Sequence, residues 1–285
     1  MYLRATAKIN LSLDVLGLRP DGYHEVRMVM QMVGMYDQLE LVAEHGKPGI
    51  RFSTNLPYLP TDRSNLVVRA AQDLMEESGV TDGLKIRLNK FIPVAAGLAG
   101  GSSDAAQTLI GVNRLFHLGF SREALMARGR AIGADVPFCV LGGTALAEGI
   151  GEHLTPLPAL TRTPVLLCKP PVSVSTRDVY AAFDRLPDVV HPDIASQIQG
   201  IRDQDLSAVT ASSAMGNVLE SVTGHLYPVI GQIEEQMTAD GALRAVMSGS
   251  GPTVFGLFSD TAKAELARDH LRKMYPQART FLTWT

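Results

Sequence analysis

The sequence predicts an α+β protein of two domains, residues 1–160 and 161–285. Three observations predict it. Runs with strand-like alternation and runs with helical spacing follow one another in both halves, without the regular strand–helix repeat of a barrel or a doubly wound sheet. The length of 285 residues suits one large or two ordinary domains, each able to bury a core. The character of the chain also changes near residue 160, where Thr161, Thr163 and Pro164 precede a short apolar run and Pro170-Pro171 closes it.

The elements follow in order. Ala5, Ala7, Ile9, Leu11, Leu13 and Val15 alternate with Thr6, Lys8, Asn10, Ser12 and Asp14, which predicts a strand with one apolar and one polar face. Such a polar face is often simply solvent-exposed. Arg19-Pro20-Asp21-Gly22 is a turn, and a Val- and Met-rich strand follows from Tyr23-His24. Leu39 to Val42 form a further strand. Ser64-Asn65 start a helix that buries Leu66, Val67, Ala70, Ala71, Leu74 and Met75. Leu84 to Leu88 alternate again and lead into Pro93-Val94-Ala95-Ala96-Gly97-Leu98-Ala99-Gly100-Gly101-Ser102-Ser103-Asp104-Ala105-Ala106. Here a glycine-rich loop runs into a helix, marked by Ala105, Leu109, Val112 and Phe116, with Ser102 or Ser103 at its N-cap. Residues 122–132 form the next helix, ended by Gly133. Val136 is held extended by Pro137, and residues 138–146 read as a buried strand broken at Gly142-Gly143.

In the second half, residues 165–168 form a strand and residues 184–215 short helices joined by loops. Residues 228–237 form a helix. Ala245-Val246-Met247 enters a second glycine turn, Ser248-Gly249-Ser250-Gly251-Pro252, before a strand at 253–258. An amphipathic helix at 262–274 and a strand at 280–284 complete the chain.

Composition excludes several classes. A net charge of −3 without a basic run argues against a nucleic-acid surface. No stretch is long enough to span a membrane, and the first residues pass directly into a strand, so neither an anchor nor a signal peptide is expected. Cys139 and Cys168 lie in apolar runs and read as buried thiols of a cytoplasmic protein. The eleven methionines read as core filler.

Three features carry chemistry. Bare backbone N–H groups at a helix N-terminus form an anion site, and phosphate is the usual anion. The loop at residues 93–106 is neither a Walker A sequence nor GxGxxG, and a tight turn without a ligand is the plain alternative. Lys8 is either solvated or a cation in a cleft. Asp135, in Gly133-Ala134-Asp135-Val136-Pro137-Phe138, is either a turn cap or a carboxylate held rigidly. A phosphate loop, a lysine and an aspartate supply what phosphoryl transfer to an alcohol needs.

These motifs resemble the GHMP kinase superfamily in the family's own order. Ala7-Lys8-Ile9-Asn10-Leu11 matches the first motif, residues 93–106 the phosphate loop, and Ser248-Gly249-Ser250-Gly251-Pro252-Thr253 the third. A narrower similarity, to kinases of a cytidine-diphosphate sugar alcohol, rests on Arg19-Pro20-Asp21-Gly22-Tyr23-His24, Asn65 to Ala71 and Gly133 to Phe138. The resemblance runs from about residue 5 to residue 260. It implies a ribosomal-protein-S5-like N-terminal domain and a ferredoxin-like C-terminal domain, with ATP and Mg²⁺ as cofactors and no ligand assigned to the metal. It implies Lys8 and Asp135 as the catalytic pair. For ATP it implies Pro93, Val94, Ala95, Ala96, Gly97, Leu98, Ala99, Gly100, Gly101, Ser102 and Ser103, with Asn65 at the adenine or, alternatively, as a helix cap. Ser248, Gly249, Ser250 and Gly251 stand beside the phosphate loop. Asn10 is implied at the substrate, Tyr23 stacking on cytosine and His24 at its edge. Tyr180 is the candidate for the second face, with a core tyrosine as the alternative. Asp104 departs from a common asparagine, and an acidic group there repels phosphate unless a cation intervenes or the side chain points away. Bulk at Gly100 is expected to exclude ATP and strain the backbone. Another small-molecule kinase of the superfamily, of the homoserine or mevalonate type, and a non-catalytic binding protein stay open, as does the oligomeric state.

Overall fold

The computed structural model describes all 285 residues and divides into two compact units. The first holds Met1–Ala7, Met35–Val94 and Ala99–Gly142; the second holds Lys8–Gly34, Ala95–Leu98 and Gly143–Thr285. Two long strands, β1 (Tyr2–Leu18) and β2 (His24–Glu44), pair with each other and contribute residues to both. Residue 160, where the sequence changes character, lies inside the second unit.

In the first unit, the C-terminal part of β2 pairs antiparallel with β4 (Gly83–Asn89), and β3 (Ile50–Thr54) runs parallel to β4. Four helices accompany them: α1 (Leu66–Glu77), α2 (Gly100–Leu115), α3 (Arg122–Ile132) and α4 (Val136–Leu141). Leu39, Leu41, Leu84, Ile86 and Leu88 of the strands meet Leu74, Ala105, Leu109 and Val112 of the helices in one core. Asn65 caps α1 through its side-chain oxygen, 3.0 Å from the Val67 N–H, and Ser121 caps α3.

Three expectations fail here. The apolar run at 138–146 is not a strand: α4 occupies 136–141 and β5 (Thr144–Gly149) follows. A short buried run carries no period that separates helix from strand. Val136 is the first residue of α4, not extended, because Pro137 falls in the first turn, where a missing N–H costs nothing. Neither Ser102 nor Ser103 caps α2; Ala99 does, with a left-handed φ of 53° and no side-chain capping bond.

In the second unit, the N-terminal part of β2 pairs with β5, and β5 with β6 (His153–Leu157). A separate antiparallel sheet has the order β10 (Arg279–Trp284), β7 (Pro164–Lys169), β9 (Val254–Leu257), β8 (Arg244–Met247). Helices α9 (Val229–Ala239) and α10 (Thr261–Met274) pack on it, which is the ferredoxin-like arrangement. Shorter helices complete the unit: α5 (Thr176–Phe183), α6 (Ile194–Asp203), α7 (Leu206–Val209) and α8 (Glu220–Leu226). The polar face of β1 is covered, since Lys8, Asn10, Ser12 and Asp14 are all buried. No helix is long and apolar enough to cross a membrane.

One half-buried pair in this unit makes stability sensitive to pH. Burial, and then the charge of Glu220, push the Glu234 carboxyl up to about 9. Burial raises Glu220 as well, although its Oε1 accepts the Met247 N–H at 2.5 Å. Between the ordinary carboxyl range and pH 9 the folded chain therefore holds a proton that the unfolded chain has lost. Stability from this pair is full below the ordinary carboxyl value and declines as pH rises toward 9. Melting temperatures are expected to fall between pH 5 and pH 9 more steeply in the wild type than in Glu234→Gln. Parallel profiles contradict the shared proton.

Candidate active site

Two buried strand residues start the site. Lys8 Nζ donates to Asn10 Oδ1 at 2.7 Å, and Asn10 Nδ2 donates to Met28 Sδ at 3.1 Å. The Lys8 N–H also donates to the carbonyl of Leu98 at 3.1 Å, which ties β1 to the glycine loop. Next to it, Ser248 Oγ donates to the carbonyl of Gly97 at 2.9 Å. Gly97 has a φ of +76°, and a Cβ there would overlap the Ser248 carbonyl oxygen. Only glycine satisfies both constraints at once.

The second glycine turn is fixed by its own bonds. Ser248 N–H donates to Thr253 O and Gly251 N–H to Ser248 O. Asn217 Nδ2 donates to the carbonyls of Met247 and Gly249, at 2.8 and 2.7 Å. Ser250 Oγ lies 2.7 Å from Thr176 Oγ1. Gly249 has a φ of +60°, and a Cβ there would lie 3.7 Å from Asn10 Oδ1. The three motif segments, around Lys8, Gly97 and Ser248, are thus joined within the second unit.

The rest of the loop belongs to the first unit, where Gly100, Gly101, Ser102 and Ser103 form the first turn of α2. The Ser103 N–H is used by Ala99 O, at 2.8 Å. The N–H groups of the three residues before it have no acceptor within the helix, and no side chain caps this end. The macrodipole adds positive potential there, so the end suits an anion. The reason for glycine at 100 differs from expectation. Gly100 has no positive φ, and a Cβ would meet Ile92 Cγ2 at 2.9 Å and stand 3.0 Å from Lys90 Nζ. At Gly101 a Cβ would meet only Leu66 Cδ1, at 3.7 Å.

Asp104 does not face a phosphate as a bare charge. It is buried, and Lys90 Nζ donates to its Oδ2 at 2.7 Å and also to Asp37 Oδ2. Burial pushes the Asp104 carboxyl well above the usual range, Lys90 opposes the shift and Asp37 adds to it. For Lys90, burial works against the charge, but Asp104 and Asp37 outweigh it and raise the ammonium. Sequence reasoning missed Asp37 and Lys90. The available signal was parity: Asp37 stands in line with Met35, Leu39 and Leu41, and Lys90 with Leu84, Ile86 and Leu88, so both charges fall on apolar faces. Asn217 was also missed, since it lies outside every motif.

Asp135 occupies the N-cap position of α4, but its side chain makes no capping bond there, so capping α4 does not explain it. Asn65 does cap, and its Nδ2 donates to Pro60 O at 2.9 Å. Of the aromatic candidates, Tyr23 is 61% exposed, after a turn closed by the bond from its N–H to Asp21 Oδ1. The structure brings His24 and Tyr180 together, with ring centroids 4.7 Å apart and planes tilted by 39°. His24 Nε2 lies 2.7 Å from Asp184 Oδ1.

The family model for the GHMP kinases N terminal domain matches residues 65–143, and that for the GHMP kinases C terminal matches residues 198–277. The chain is 50% identical to the 4-diphosphocytidyl-2-C-methyl-D-erythritol kinase of Lachnospira eligens, over 99% of this chain and 97% of that protein. It is 48% identical to the kinase of the same name from Alkaliphilus oremlandii, over 100% and 97%. Among solved structures, a 4-(cytidine 5'-diphospho)-2C-methyl-D-erythritol kinase is similar with a TM-score of 0.85 at 33% identity, covering 100% of this chain and 98% of that one. A homoserine kinase from Cytophaga hutchinsonii shares the fold, with a TM-score of 0.75 at 19% identity over 98% and 94%.

The loop geometry separates its glycines. Gly97→Ala is expected to cost about 2 kcal/mol or more, through left-handed strain and overlap with Ser248. Gly101→Ala should lie within about 0.5 kcal/mol of wild type, as a substitution away from such features does. Chemical denaturation of the two variants checks this. Equal losses contradict the close approach at Gly97.

Proposed function

The chain belongs to the GHMP kinase family, and from that membership we propose how its residues work. It is an ATP-dependent kinase that phosphorylates a hydroxyl of 4-(cytidine 5'-diphospho)-2-C-methyl-D-erythritol to give the 2-phosphate, in non-mevalonate isoprenoid precursor synthesis. The observation that carries the site reading is the joining of three motif segments by the Lys8–Leu98 and Ser248–Gly97 hydrogen bonds.

In the proposed mechanism, backbone N–H groups at the start of α2 hold the triphosphate, with the loop from Pro93 to Ser103 around it. Asp135 accepts the proton of the acceptor hydroxyl as its oxygen attacks the γ-phosphorus, and ADP leaves. Lys8 orients that hydroxyl and stabilises the charge that develops. Asn10, which accepts from Lys8, holds both against the substrate. No group of three or more His, Cys, Asp or Glu side chains could hold a metal, and Asp104 is taken up by Lys90. No residue is assigned to hold Mg²⁺; an ion bound together with the nucleotide would supply neutralisation of phosphate charge. Asn65, capping α1, offers its remaining amide hydrogen to adenine. Two buried free cysteines, Cys139 and Cys168, support a reducing, cytoplasmic setting.

Cytidine recognition falls to Tyr23, His24 and Tyr180. Tyr23 presents an exposed ring to one face of cytosine, Tyr180 takes the other, and His24 meets its edge. Homoserine and mevalonate carry no base and have no use for these rings, which favours the cytidine substrate.

Two variants test the roles. Asp135→Asn is expected to lower kcat by about 10²–10⁴-fold, with substrate affinity and melting temperature little changed. Turnover within about threefold of wild type contradicts the base assignment, because general-base loss typically costs about 10²–10⁴-fold. Tyr23→Ala should weaken binding of the cytidine substrate by about 1–3 kcal/mol and leave ATP unaffected, while Tyr23→Phe keeps most of the affinity. Equal losses for both ligands remove the stacking role.

A further inference from the structure

The mechanism uses none of Asp37, Lys90 and Asp104, yet all three are buried charges in the first unit. Replacing such a cluster by well-packed apolar side chains is commonly neutral or stabilising, so stability alone does not account for it. Its bonds converge on the two segments that flank the glycine loop. On the entry side, Asp37 Oδ1 accepts the N–H groups of Phe91 and Ile92, at 2.5 and 2.9 Å, immediately before Pro93. Asp37 Oδ2 accepts from Lys90 Nζ. On the exit side, the same ammonium reaches Asp104, the residue directly after the first turn of α2, and lies against Gly100 so closely that a Cβ there would be 3.0 Å away.

Between these segments the loop holds two non-glycine residues with left-handed φ, Ala95 at 51° and Ala99 at 53°. Such conformations persist only where the surroundings over-determine them. Asp104 Oδ1 is buried with no hydrogen-bond partner, so the cluster keeps a second polar cost besides its charge. Both costs are offset if what they secure is position.

We propose that Asp37, Lys90 and Asp104 are positioning residues for the phosphates of the nucleotide: Lys90 fastens the first turn of α2 to the clamped backbone at 91–92, and so fixes where the N–H groups of Gly100, Gly101 and Ser102 point. The proposal rests on the reading of the loop as an ATP site. Asparagine at 104 keeps the same oxygen within reach of Lys90.

The test uses the full-length chain and three variants, Lys90→Met, Asp104→Leu and Asp104→Asn. Calorimetric Kd values for ATP and for ADP are compared with the KM of the cytidine alcohol and with melting temperature. Displacement of a bound group by about 1 Å can cost roughly 10²-fold. Lys90→Met and Asp104→Leu are therefore expected to weaken ATP and ADP by about tenfold or more, with the KM of the alcohol kept within about twofold. Asp104→Asn should stay within about threefold of wild type for both nucleotides, since the Lys90 bond survives. A role in stability alone lowers melting temperature and leaves nucleotide affinity unchanged in the folded variants, and that result overturns the proposal. Equal weakening of nucleotide and alcohol overturns it too. If Lys90→Met does not fold, Asp104→Leu decides by the same criteria. A wild-type chain that binds no ATP refutes the kinase reading itself, and the proposal with it.

Discussion

The close approach of Gly97 to Ser248 is the constraint on which the site depends. The carbonyl of Ser248 stands where a side chain at position 97 would begin, and the Ser248 hydroxyl donates to the Gly97 carbonyl. Two segments 151 residues apart are held as one surface by that contact. The Lys8 N–H then finds its acceptor at Leu98, one residue on. Asn217 secures the other side of the same turn through Met247 and Gly249. Glycine at these positions is a condition of backbone meeting backbone.

Buried and half-buried charge is used in three ways. Along β1 the polar side chains of residues 8–14 are covered, and Lys8 is paired with Asn10 inside the protein. A lysine in that setting is preorganised, because its place is set before any substrate arrives. Asp37, Lys90 and Asp104 are covered in the other unit, and they bind backbone and one another. Pairing there satisfies charges that could not otherwise be buried. The Glu220–Glu234 pair follows a third course, in which burial favours a retained proton over an ion pair.

Much of this was legible in the sequence. The alternation from Ala5 to Val15 gave β1, and Asn65 and Gly133 marked helix ends that the structure reproduces. The glycine motifs were legible because glycine is where chain geometry reaches the sequence most directly. Coverage of the second face of β1 was not, since alternation reports that two faces differ and not what lies over each. The residues at 136–146 misled because a buried helix of six residues and a buried strand share one composition. The Asp37–Lys90 pair spans 53 residues, and parity could hint at it without naming the partner. Gly100 was assigned to ligand approach, whereas Ile92 and Lys90 already fill the space behind it.

The central claim is that the site transfers phosphoryl to a cytidine-diphosphate sugar alcohol and not to a smaller alcohol. Initial rates of ADP release, measured with ATP, Mg²⁺ and each of 4-(cytidine 5'-diphospho)-2-C-methyl-D-erythritol, homoserine and mevalonate, test it most directly. The account predicts turnover confined to the first, with one phosphorylated product formed per ADP. Comparable turnover of homoserine or mevalonate, or ADP release without a phosphorylated cytidine product, would contradict it.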